Sequence, residues 1–385
     1  MRVLMVTSFP IPGEYDGTAM LPIKILRALK PRGVDVVVAY LRLRPAAGLA
    51  SSRSDFEGTP VFTVPPAGWV MGKGLARIAR ELPFDVVHAQ HYGGATRAYR
   101  ACRKHGWPMV YEIHSLLGDE VERDRLGRGI VFRAYLELEK RVYRHAAQII
   151  ALGEPVKQVV IEEKGVPADR VSVIYPGIDL AEYERPGQPA VIAGVAPEHR
   201  VIMYVGSIVH PNQGVPILID ALPTIFEARP DARCVLVGGP AEAGDRYRAG
   251  LGPHGDKLIV LTGQTPEQVV ALTRRADVLV HARLACRENY SVQSKLAVYL
   301  AAGRPIVATD FGDYQKLLGQ TGAGLLTPVA PEPLASGVLK VLSDPGLAAS
   351  LAAATSPVAR EYFAMDRNID RYLDVYHRAI SMGPR

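Results

Sequence analysis

Residues 288–308 read Glu-Asn-Tyr-Ser-Val-Gln-Ser-Lys-Leu-Ala-Val-Tyr-Leu-Ala-Ala-Gly-Arg-Pro-Ile-Val-Ala: a polar loop, a helix, a Gly303-Arg304-Pro305 turn and a short apolar strand. A loop that opens into a helix aims free backbone N–H groups and the positive end of a helix dipole at whatever lies in front of it. A phosphate or a sugar hydroxyl is the natural guest. Lys295, one turn into that helix, either adds a cation to such a site or is an exposed helical lysine. Gly17, in the glycine-containing turn after the first strand, either lets backbone approach a ligand or shapes an ordinary strand-to-helix turn. His114 closes an apolar strand just before a polar loop, a place for a ligand contact or for packing and capping.

These residues need a frame that brings strand ends together. Short β-branched runs alternate with longer helical patterns, which predicts an α/β protein with doubly wound parallel sheets. Strands are expected at Val3–Val6, Val34–Ala39, Val61–Val64, Val86–Ala89, Met109–Ile113, Gln148–Ala151 and Val171–Ile174. The pattern restarts at Val201–Val205, Ala232–Val237, Leu258–Leu261, Val278–Val280 and Ile306–Ala308. Pro176-Gly177 and the Arg185–Pro189 stretch read as the linker between two domains, and Asp366–Ile380 as a final amphipathic helix with no strand after it. The expected division is 1–180, 181–360 and a terminal helical segment 361–385. In open parallel sheets ligands bind at the carboxyl ends of the strands, so both domains are expected to aim loops into a shared cleft.

The chain has 385 residues, 48% of them hydrophobic and 22% charged, the composition of a folded globular protein of two domains. No uninterrupted apolar run is long enough to span a bilayer, and Met1–Thr7 reads as a buried strand rather than a leader peptide. Three scattered cysteines, Cys102, Cys234 and Cys286, fit reduced thiols in a cytoplasmic protein better than a metal or disulfide framework. The net charge of +6 includes a basic stretch from Arg97 to Arg144 interleaved with acids. It reads first as a solvated helical face, with attraction to an anionic membrane surface or a phosphorylated acceptor as the alternative. No nucleic-acid-reading motif accompanies it.

Several segments carry a resemblance in their order and spacing. They are Gly13-Glu14-Tyr15-Asp16-Gly17-Thr18-Ala19, Phe84–His88, Val110–His114, Val173–Asp179, Tyr204-Val205-Gly206, Val235–Gly239, Arg275–Val278 and Glu288–Ala308. Together they resemble the GT-B glycosyltransferases of the large retaining group known as family 4. The resemblance implies two tandem Rossmann-like domains and transfer of a sugar from a nucleotide-activated donor. The acceptor would be a hydroxyl of a glycan, a lipid-linked sugar or a small molecule. It implies no cofactor and no metal, and the chain contains no Asp-x-Asp pair of the metal-chelating kind. Donor would bind mainly to the C-terminal domain and acceptor to the N-terminal one, with closure excluding water and the last helix crossing back to the first domain. Acceptor choice would lie with the loops at about 42–54 and 116–129. A cytoplasmic enzyme, at most peripheral at the inner membrane face, is the expected setting.

Residue by residue, the resemblance places His114 against the transferred sugar. Glu288 becomes the first carboxylate of a paired-glutamate motif, facing the reacting centre. Asn289, Tyr290, Ser291 and Val292 would offer backbone N–H groups to sugar and phosphate oxygens, near Gly206 and Lys295. Two features depart from the pattern. The ribose-binding second glutamate falls on Val298, ten residues after Glu288 where eight is usual, and valine has no acceptor. The arginine and lysine that bind the diphosphate fall on Ser207 and Gln213, with His210, Arg283, Arg287 and Lys295 as the nearest substitutes. These losses keep two further readings open: a non-catalytic relative acting as a binding or partner subunit, and an enzyme of atypical donor or of a related epimerisation.

Overall fold

The computed structural model describes residues 1–11, 17–41, 52–64, 68–116 and 130–383, with backbone alone at 17–19, 68–71, 130–132, 135, 211 and 288. The chain forms two compact units, Met1–Gly177 with Met365–Arg385, and Ile178–Ala364.

Among the described residues, the first unit holds eight strands: β1 (Arg2–Thr7), β2 (Asp35–Leu41), β3 (Ser52–Phe56), β4 (Thr59–Val64), β5 (Val86–Gln90), β6 (Met109–Ile113), β7 (Gln148–Ala151) and β8 (Val171–Val173). Their order is β3-β4-β2-β1-β5-β6-β7-β8, and every pairing is parallel except β3 with β4. β3 is a correction. Part of the stretch read as an acceptor loop, 52–54, is an exposed antiparallel edge strand, while 42–51 lie outside the described residues. Its polar sequence, Ser-Arg-Ser-Asp, lacks the apolar alternation that marks a half-buried strand.

One face of this sheet is covered by the helix Gly17–Leu29 and the terminal helix Met365–Met382. Ile369, Tyr372, Val375, Tyr376 and Ala379, spaced three and four apart, form one buried stripe against Val3, Met5, Val86, Val110 and Ile150. Asn368 pins the helix start by donating from Nδ2 to Tyr175 O at 2.9 Å.

The second unit holds β9 (Arg200–Val205), β10 (Ala232–Val237), β11 (Leu258–Leu261), β12 (Val278–His281), β13 (Ile306–Thr309) and β14 (Leu325–Thr327) in the order β11-β10-β9-β12-β13-β14, all parallel. Arg185–Pro189, read as linker, belongs wholly to this unit. Arg274 fastens it by donating to Tyr183 O at 3.0 Å and Arg185 O at 2.6 Å.

Both sheets change direction of winding at one place, between β1 and β5 and between β9 and β12. At such a switch point the flanking connections leave on opposite faces and open a crevice at the carboxyl ends of the strands. The sequence-selected residues fall around these two points.

Candidate functional site: two switch-point clusters

In the first unit, β6 carries Glu112 two residues before His114, and alternate residues of a strand share a face. Glu112 is fully buried and His114 nearly so. His114 Nε2 lies 3.0 Å from Glu112 Oε1, and His88 Nε2, from neighbouring β5, lies 3.0 Å from Glu112 Oε2. Tyr376 reaches in from the terminal helix, its hydroxyl 2.9 Å from His88 Nδ1. Burial opposes ionisation of Glu112. Hydrogen bonds from His114 and His88 outweigh it and hold the carboxyl down at about 2. On its other side His114 stacks near Phe9, which follows β1, with ring centroids 6.1 Å apart and planes 12° from parallel; the ring of His91, which follows β5, stands 5.9 Å away. Gly17 begins the helix after β1, and Gly13–Asp16 of its turn lie outside the described residues, as do 117–129 of the second loop.

In the second unit, the loop 287–291 is built around one buried cation. Arg283, just past β12, is 1% exposed. It donates from one terminal nitrogen to Asn289 O (2.7 Å), Asn289 Oδ1 (2.9 Å) and Ser291 O (3.0 Å), and from the other to Tyr314 OH (3.2 Å). Asn289 also donates from Nδ2 to Asn212 O and Leu284 O, and its backbone N–H to Cys286 O at 3.0 Å. The structure therefore gives Asn289 a different task from the expected donor contact. Its groups are consumed in shaping the loop, an effect of tertiary hydrogen bonding that spacing alone does not reveal. Glu288 lies in the 3-10 turn Arg287–Tyr290, and its side chain is outside the description. Tyr290 stacks on Phe311 at 5.7 Å, and Ser291 and Val292 are buried.

The helix Ser294–Ala302 begins with no side-chain cap from Gln293 and no acid in its first turn. Tyr299 locks it to the sheet: its hydroxyl accepts from Val205 N–H (2.8 Å) and donates to Val280 O (3.2 Å). Val298 is half-buried on the same helix. Lys295 turns toward the end of β9. Its Nζ donates to Tyr204 OH (2.6 Å) and to Gln213 Oε1 (2.5 Å) and sits 4.2 Å from the Tyr204 ring centroid. Tyr204 in turn donates to Ser207 O at 2.9 Å. Gly206 makes room for this, since at φ +134° a Cβ there would stand 2.6 Å from Lys295 Nζ. Burial first, then the charge of Arg283, holds the Lys295 pKa well below the usual lysine range. Of the residues expected to meet a donor, the structure thus brings Gly206, Ser207, Gln213 and Lys295 into one cluster.

Two family patterns match the chain: Glycosyltransferase Family 4 over residues 15–182 and Glycosyl transferases group 1 over residues 199–344. The chain belongs to the family 4, group 1 glycosyltransferases. Among relatives of this glycosyltransferase, the D-inositol 3-phosphate glycosyltransferase of Jonesia denitrificans is 26% identical, over 96% of this chain and 92% of that protein. Solved structures similar to it include a sucrose-phosphate synthase from Thermosynechococcus elongatus, with TM-score 0.77, 15% identity and coverage of 99% and 100%. Anabaena HepE in complex with UDP-glucose matches with TM-score 0.72 and 20% identity, covering 97% and 99%. These likenesses establish the GT-B fold. Among the described residues no helix of this glycosyltransferase is long and apolar enough to cross a membrane.

Sequence reasoning gave no role to Glu112, His88, Tyr376 or Tyr204. One signal was present, since Glu112 and His114 are two apart on a strand and must share a face. The partnership of Tyr376 with His88, separated by 288 positions, has no local signal.

Proposed function

We propose that this glycosyltransferase is a retaining, metal-independent enzyme. It takes a nucleoside-diphosphate sugar in its second unit and transfers the sugar to a hydroxyl of a glycan, lipid-linked or small-molecule acceptor held by the first. One observation carries the donor half of this reading: Lys295 Nζ lies 2.5 Å from the side chain of Gln213, the position where the family pattern has its diphosphate-binding lysine. The cation missing from the loop is resupplied from the helix. With the uncapped start of the Ser294–Ala302 helix beside it, that corner offers a cation and backbone dipoles to a departing diphosphate. The absence of any Asp-x-Asp pair in the sequence supports a reaction without a chelated metal. Binding of UDP-glucose by Anabaena HepE, which shares the fold, supports a nucleotide-sugar donor.

Val298 favours a variation on the donor, because no carboxylate stands there for a ribose hydroxyl. A panel of UDP-, GDP-, ADP- and TDP-sugars, scored by nucleotide released on addition of acceptor, tests the activity. The anomeric proton coupling of the product reads the stereochemistry. A product with the donor's anomeric configuration supports retention, and the opposite configuration overturns it. His114→Ala and Glu288→Ala are each expected to abolish transfer with the fold intact. Turnover within a few-fold of the parent removes the role assigned to that residue.

A further inference from the structure

We propose that Glu112 is the positioning residue that fixes His114 as its Nε2–H tautomer, leaving Nδ1 as a bare lone pair for a hydroxyl of the bound sugar or acceptor. The inference rests on the reading above that His114 meets substrate, and adds which of its atoms does so and what holds it there.

The protons can be placed one at a time. Glu112 is fully buried, and an ionised carboxylate only accepts hydrogen bonds. Its Oε1 is 3.0 Å from His114 Nε2 and its Oε2 3.0 Å from His88 Nε2, the second contact being less well aligned. Each neutral imidazole has one N–H, and a bare nitrogen facing a carboxylate would set two acceptors against each other. Both histidines therefore carry their proton on Nε2. For His88 the remaining nitrogen, Nδ1, accepts from the Tyr376 hydroxyl at 2.9 Å, so its lone pair is taken. For His114 the remaining nitrogen has no partner among the described residues although it is buried. A buried acceptor without a partner costs on the order of 1–3 kcal/mol, and such atoms in native structures call for an explanation. A substrate hydroxyl donating to Nδ1 provides it.

The rest of the surroundings agree. Phe9, stacked near one face of His114, limits rotation of the ring, and His91 stands 5.9 Å from it with its own Nε2 3.2 Å from Ser115 Oγ. Among the described residues, the titratable groups around the carboxylate are His88 from β5, His114, which follows β6, and Tyr372 and Tyr376 from the terminal helix, and none of them is a second carboxylate. The terminal helix thus has a chemical reason to lie on this unit: Tyr376 occupies the one nitrogen through which His88 would otherwise turn from Glu112.

The test is histidine-labelled nitrogen NMR on the full chain, with kcat and KM for donor measured alongside. The parent is expected to show Nε2–H at both His88 and His114. Glu112→Leu removes both acceptors at similar volume, where Gln would keep one; it is expected to release His114 from the Nε2–H form so that Nδ1–H is populated, and to lower kcat by about tenfold or more, with donor KM within about threefold. An Nδ1–H tautomer at His114 in the parent overturns the proposal, and needs no variant to fold. So does Glu112→Leu with unchanged kcat, or with reduced kcat while His114 keeps its proton on Nε2, the result of a merely structural role. If His114→Ala retains turnover, the functional reading of His114 fails instead, whatever the tautomer.

Discussion

Lys295 and Gln213 meet across the switch point of the second sheet, Nζ to Oε1 at 2.5 Å, although 82 residues separate them. The pair ties the departure at 213 to a cation carried by the helix. On the reading proposed above, Lys295 supplies from the helix the charge that position 213 lacks. The cation is held in an awkward state, part-buried, stacked on Tyr204 and repelled by Arg283. An arriving diphosphate relieves that state, because an anion favours the charged lysine.

Replacing Lys295 with methionine is therefore expected to leave the unliganded protein as stable as the parent or more so, since a desolvated, repelled charge is removed and the apolar stem kept. Thermal melts of the two proteins without ligand decide this. A fall of more than about 3 °C, the scale of a ΔΔG near 1 kcal/mol in a chain of this size, would show that Lys295 is a structural tie instead.

The same depressed pKa makes a pH prediction. Between the folded and the higher unfolded pKa of Lys295, the unfolded chain binds more protons, so this residue's contribution to stability rises with pH across that window. A bound diphosphate raises the folded pKa again, so binding takes up protons and weakens as pH rises through the window. Titration calorimetry in two buffers of different ionisation enthalpy reads the uptake. Proton release on binding contradicts it.

Arg283 supports the loop from within. Arg283→Met strands the buried acceptors Asn289 O, Asn289 Oδ1 and Ser291 O, and is expected to cost about 2–4 kcal/mol in urea unfolding. Arg283→Lys is expected to recover less than half of it, because an ammonium cannot reproduce the planar fork. Full recovery would mean that charge alone matters there.

Glu112 has its pKa lowered from 4.5 to about 2 in the folded state. Its stabilising contribution is present above the unfolded value and is lost as pH falls through the folded one. The window is about pH 4.5 down to 2, and the size on the order of 3 kcal/mol. Acid unfolding of Glu112→Gln is expected to be flatter than the parent's across that window. Parallel curves would place the acid sensitivity elsewhere.

How far these features were legible beforehand follows from their physical range. Ala232–Val237 and Met109–Ile113 were located to the residue, because buried parallel strands are short apolar runs between turn signals. β14 (Leu325–Thr327) was missed, being three residues with only the last buried, and β3 because its residues are polar. Lys295 was legible as a cation beside a helix start. Its partner Gln213 was known only as a departure from a pattern, and their meeting depends on Gly206 and Tyr204 at the end of another strand. The inward hydrogen bonds of Asn289 were hidden for the same reason: a polar loop residue points outward or inward according to partners such as Asn212 that the local sequence does not announce.

The central claim, that Lys295 replaces the missing diphosphate cation of a nucleotide-sugar transferase, is tested most directly by calorimetric titration of the parent and of Lys295→Met with UDP, GDP, ADP and TDP. Saturable binding of at least one nucleotide to the parent is expected, weakened by about tenfold or more in the variant, the worth of a charge-assisted contact. Equal affinity in the two proteins, or no binding of any of the four to the parent, would contradict it.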